Sequence, residues 1–75
     1  MTTTSTAADD RRAILNVLTV YGPQIDQELE GATGLTGNSL RWRRGELIKS
    51  GKVELYPGKR NTRAGRSAQL WRVCK

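Results

Sequence analysis

Residues 35–51, LTGNSLRWRRGELIKSG, read as one helix with two unlike faces. Thr36 suits the N-cap, Leu35 ahead of it can fold back as a hydrophobic staple, and Gly51 stands where a left-handed C-cap closes such a run. At about 100° per residue, Leu40, Arg44, Leu47 and Ile48 fall on one arc and Asn38, Arg41, Trp42, Gly45 and Lys49 on the opposite one. The first arc is apolar apart from Arg44 and asks for a core. The second sets an indole among cations and an amide. Burying it would bury Arg41 and Lys49 as well, so it is expected to be a contact surface.

Upstream, Asp26 to Thr33 reads as a short helix, with Ile25, Leu29 and Ala32 at helical spacing, acids in its first turns and Gly34 to end it. Only a few residues built around Gly34 and Leu35 join it to the next helix, the spacing of a helix-turn-helix; bundles without a nucleic-acid role contain such turns too. Before that, the chain is expected to turn helical at Asp9 or Asp10. Ala13, Ile14, Val17, Leu18 and Tyr21 then share an apolar face opposite Arg12, Asn16 and Thr19, and Gly22-Pro23 stops the run. Gln24-Ile25 has room for no more than a brief edge pairing. Residues 1–8, MTTTSTAA, are polar and aperiodic and are expected to be a disordered tail, leaving residues 9–75 as one domain.

Downstream, Lys52 to Tyr56 alternates polar and apolar side chains, Pro57-Gly58 breaks the run, and Ser67 to Val73 resumes an extended pattern. The intervening PGKRNTRAGRS predicts a long hairpin loop with Lys59, Arg60, Arg63 and Arg66 and no acid. Such a loop is either a solvated tip or a phosphate-holding surface, and its place next to a basic helix favours the second.

Charge is divided unevenly. The net charge is +6, yet residues 1–40 carry −3 and residues 41–75 carry +9, which points to a polyanionic partner rather than to solubility alone. The apolar share is 36% with no phenylalanine, enough for a thin core in which Trp71 is expected to be buried. Arg44, on the apolar arc, is expected to meet a carboxylate of the preceding helix, with Glu28 the nearest by pattern. One cysteine, Cys74, excludes an internal disulfide. No run reaches the ~20 apolar residues of a membrane span, and no secretory signal opens the chain, so a soluble, cytoplasmic protein is expected. Without histidine, an activated nucleophile or a phosphate-cradling glycine loop, neither catalysis nor a metal or cofactor is expected; Asp9, Asp10, Glu28 and Glu30 read as helix-dipole partners.

Helix, short strand, helix-turn-helix and two-stranded wing together resemble the winged helix-turn-helix domain, an α+β fold, over Asp9 to Val73. More narrowly, ATGLTGNSLRWRRGELIKSGKV and NTRAGRSAQLWRV are similar to small winged-helix proteins of bacteriophages and actinobacterial prophages, in which a GL-[ST]-x-x-S helix start, an RR-x-EL centre and a T-x-[SA]-GR-x-A-x-[VL]-W wing recur. The chain departs from that pattern at Ile25, where a capping Ser or Thr is common, and at Gly37, a position that commonly carries a DNA contact.

The resemblance implies a DNA-binding protein whose third helix enters the major groove while the wing flanks it. Arg41 would read guanine, Asn38 adenine, and Trp42 a thymine methyl or a sugar. Thr36, Ser39, Arg43 and Lys49 would hold phosphates, as would Lys59, Arg60, Arg63 and Arg66 on the wing. The expected function is sequence-specific binding of double-stranded DNA by a transcriptional regulator or accessory factor of phage type, as monomer or homodimer. The alternative is a protein-interaction module that grips an acidic host or phage protein through Trp42 and Arg41; RNA binding is disfavoured by the shortage of stacking aromatics.

Overall fold

The computed structural model describes residues 6–74. Three helices, α1 (Ala7–Tyr21), α2 (Asp26–Thr33) and α3 (Gly37–Lys49), precede an antiparallel hairpin of β1 (Val53–Asn61) and β2 (Ser67–Val73). The expected brief edge pairing exists. Gln24 and Trp71 exchange both backbone hydrogen bonds, at 3.0 and 2.9 Å, which attaches the α1–α2 connection to the outer edge of β2.

The helix ends follow from local chemistry. α1 starts earlier than Asp9: Thr6 is its N-cap, accepting from the Asp9 N–H at 3.1 Å while the Asp9 carboxylate accepts from the Thr6 N–H. That reciprocal pair satisfies two donors that would otherwise be orphaned. It moves Thr6, Ala7 and Ala8 out of the expected tail, whose residues 1–5 lie outside the described residues. At α2, the N-cap residue Ile25 has no acceptor and is buried instead; Glu28 takes its N–H at 3.0 Å. Thr36 caps α3 as expected, accepting from the Ser39 N–H at 3.3 Å.

Ile14, Val17 and Leu18 of α1, Leu29 of α2, Leu40 and Leu47 of α3, and Val53 of β1 form one buried cluster, with Leu15, Leu35, Trp71 and Val73 packed at its margin. Full burial of such a side chain stabilises by about 1.5–3 kcal/mol. Three residues assigned to apolar faces are exposed instead: Tyr21 at 70%, Ile48 at 39%, and Ala32. Each sits at the rim of its arc at a helix end, past the reach of the packed neighbours.

The hairpin differs from the expected one. β1 does not stop at Pro57-Gly58 but runs on to Asn61: Tyr56 pairs with Leu70, the next pair is Lys59 with Gln69, and Pro57 and Gly58 bulge out between them. Gly58, at φ 112, adopts a backbone geometry that side chains disfavour. The expected eleven-residue loop is therefore a ribbon whose turn spans only residues 62–66, closed by Thr62 N–H to Arg66 O at 2.7 Å and Gly65 N–H to Thr62 O at 2.9 Å.

Candidate nucleic-acid interface

α3 presents the arc that the sequence assigns to contact. Asn38, Arg41, Trp42, Gly45 and Lys49 are all exposed, Trp42 at 65%. The Asn38 carbonyl oxygen accepts from Arg41 Nη2 at 2.8 Å. This bond holds the guanidinium beside the amide and leaves the Asn38 NH₂ and most guanidinium N–H groups available. Gly45, one turn after Trp42, adds no side chain, so a shallow hollow opens between Arg41, Trp42 and Lys49 and is closed at its far side by Glu46 and Ser50. Thr36 and Ser39 lie exposed at the start of the helix, the Thr36 oxygen engaged in the cap.

Arg43 does not share that arc. It is half-buried and donates to Glu46 Oε1 at 2.7 Å, and the same oxygen accepts from Arg11 of α1 at 2.9 Å. This pair lies within α3, and it is Glu46 that joins α3 to α1 through Arg11, so Arg43, expected at phosphate, is engaged with an acid in the DNA-free chain. Hydrogen bonding from Arg43 first, then from Arg11, holds the Glu46 carboxyl below the ordinary carboxylate range against the opposing effect of desolvation.

Arg44 is paired as its position demands, but with Asp26, not Glu28. Its guanidinium also lies 4.3 Å from the centre of the Trp71 ring. Carboxylate on one side and indole on the other let a cation sit at the core margin. Trp71, accordingly, is a partly buried core residue.

The wing cations Lys59, Arg60, Arg63 and Arg66 are exposed, but they are not equivalent. Arg60 Nη1 donates to both oxygens of Glu28, at 2.7 and 2.6 Å. The Arg63 backbone N–H donates to the Gln27 side-chain oxygen at 2.8 Å. Sequence reasoning missed Gln27 and Glu28 as partners of the wing; the one available signal was the excess of acid in the first half of the chain. Burial acts to raise the Glu28 carboxyl, but the Ile25 N–H and then Arg60 outweigh it and hold the group below its ordinary value. Five arginines are thus paired with acids: Arg11, Arg43, Arg44, Arg60 and Arg72. Among the described residues, Arg41, Lys49, Lys59, Arg63 and Arg66 of the expected interface are in no ion pair.

Among the described residues no group of three or more His, Cys, Asp or Glu side chains could hold a metal ion, and no helix is long and apolar enough to cross a membrane.

No family model matches the chain, and none of the curated proteins matches it. Among solved structures it is similar to the Zalpha domain of Carassius auratus PKZ in complex with Z-DNA, with a TM-score of 0.73 over 92% of this chain and 98% of that one, at 17% identity. With three helices, a helix-turn-helix and a two-stranded wing, the chain has the winged-helix fold.

Proposed function

We propose that this chain is a non-catalytic, sequence-specific binder of double-stranded DNA, acting in the cytoplasm as a transcriptional regulator or accessory factor of the small phage type. The observation that carries the reading is the Asn38–Arg41–Trp42–Lys49 arc, an exposed polar and aromatic helix face in a domain where five other arginines are paired with acids. Arg41 and Asn38, already hydrogen-bonded together, offer donors to base edges in the major groove, and Trp42 offers apolar contact to a thymine methyl or a sugar. Thr36, Ser39 and Lys49, with Lys59, Arg63 and Arg66 of the wing, hold phosphates and set the register.

Selection from random duplex DNA followed by sequencing tests this. An enriched motif whose preference relaxes in Arg41→Ala is the expected result; retention without enrichment would leave only backbone binding. Because the similar PKZ domain is bound to Z-DNA, the panel includes one duplex sequence in right-handed and in left-handed form. A preference for the left-handed form would move recognition from base edges to backbone shape.

The exposure of Trp42 supports a second reading, a protein-interaction module. A nuclease-resistant partner lost in Trp42→Ala, with no duplex bound even at low salt, would replace the DNA reading with that one.

A further inference from the structure

The wing beyond Tyr56 has little to hold its direction. On β1 no side chain after Tyr56 is buried, and on β2 burial begins only at Leu70. The ribbon from Lys59 to Gln69 therefore leaves the core past the Pro57-Gly58 bulge with no buried side chain, only the half-buried Ala68, to fix its angle. Its links back to the helices are polar and come from consecutive residues of one helical turn: Gln27 holds the Arg63 N–H, and Glu28 holds Arg60. Glu28 is itself fixed by the Ile25 N–H.

From this we infer that Glu28 is a positioning residue for DNA binding. Its carboxylate tethers the wing through Arg60 and so sets where Lys59, Arg63 and Arg66 lie, and Arg60 is a tether rather than a phosphate ligand. The inference rests on the DNA-binding reading above. Electrostatics favours keeping the pair intact on DNA. A phosphate that captured Arg60 would leave the Glu28 carboxylate, which the cap bond and the helix N-terminus keep ionised, unpaired beside a polyanion.

Four variants test the tether: Glu28→Gln, Arg60→Gln, Arg60→Lys, and the double variant Glu28→Gln with Arg60→Gln. The glutamine carbonyl can still accept the Ile25 N–H, so α2 keeps its cap. A single nitrogen of Arg60 reaches both carboxylate oxygens, so lysine can replace it. Thermal melting checks that each variant folds. The first readout is the amide ¹⁵N relaxation of residues 59–66 in the DNA-free protein, and the second is duplex affinity.

Glu28→Gln and Arg60→Gln are expected to loosen those amides and to weaken duplex binding by about two- to fivefold, the range a half-exposed ion pair can supply. The double variant should be no worse than either single one, because both remove the same link, and Arg60→Lys should behave as the unaltered protein. Tighter DNA binding by Glu28→Gln would overturn the inference, since it would mean that the carboxylate competes with phosphate for Arg60. Unchanged wing amides would overturn it equally. If the unaltered protein binds no duplex, the DNA reading falls and with it the role of Glu28 in binding. The DNA-free relaxation still tells that outcome apart from failure of the tether.

Discussion

Arg44 shows what a single side chain must find to stay charged at the edge of a core. The pair with Asp26 and the face of Trp71 replace part of the water that its guanidinium gives up, while its Nε is buried without a hydrogen-bond partner. Arg44→Ala is expected to destabilise the domain by about 2–3 kcal/mol, combining a desolvated cation–π contact with a carboxylate left without its partner; chemical denaturation measures it. Arg44→Met, made together with Asp26→Asn, should recover much of that loss. Helical spacing was enough to place this arginine, but not to choose its acid. Asp26 and Glu28 are two residues apart, and the choice is made by Glu28 reaching back to Ile25 and out to Arg60, a pairing across 32 residues that no local pattern carries. On the opposite arc, Arg41→Ala should cost about 1–3 kcal/mol on the preferred site and far less on random duplexes. Equal losses on both, in a competition titration, would remove Arg41 from base reading.

The elements differ in how far their sequences betray them. α3 was legible almost to the residue, because its cap, its glycine stop and one apolar arc agree. The start of α1 is hidden because Thr6-x-x-Asp9, a capping signal, is embedded in a run of polar residues that looks like tail. The wing was misread for a different reason. Lys59, Arg60 and Asn61 pair with β2 but are polar and exposed, and the side that meets α2 does so through Arg60 and Glu28, so the apolar alternation that reveals a half-buried strand is missing. Within α3, Gly45 is an exposed interior glycine, and a Cβ there would meet nothing within 4 Å. Gly45→Ala should therefore stabilise the domain by about 0.5–1 kcal/mol, visible as a raised melting temperature. If a duplex closes on the hollow beside Trp42, the same methyl should weaken DNA binding, so that stability and affinity move in opposite directions.

For the whole molecule, the net charge of +6 is a poor guide to how strongly a polyanion is held, since Arg43 and Arg60 of the expected interface are already committed to acids. The five remaining cations set the scale. With roughly four to five phosphates neutralised, raising salt from about 50 to 200 mM should weaken duplex binding by roughly 10²–10³-fold, as read by a titration series. Acid should act on the fold itself. Glu28 and Glu46 have carboxyls held below their ordinary values, so their stabilising effect is complete above the unfolded-state pKa and disappears as pH falls through the lower folded one. Melting temperature should drop on acidification below the ordinary carboxylate range, and less steeply in Glu28→Gln with Glu46→Gln.

The Pro57-Gly58 bulge also shapes the open edge of the sheet. A two-stranded sheet has two open margins, and Gln24 pairs with the one on β2 only at Trp71. The margin on β1 is uncovered among the described residues, yet it offers a poor template for another strand: Pro57 contributes no N–H, the bulge breaks the straight run of donors and acceptors, and Lys59 and Arg60 follow at once. Replacing Pro57 by valine and deleting Gly58 would straighten that margin into a continuous hydrogen-bonding edge. Such a variant should remain helical yet aggregate more readily than the parent, as light scattering at matched concentration would show; equal scattering would mean that the bulge does not protect the edge.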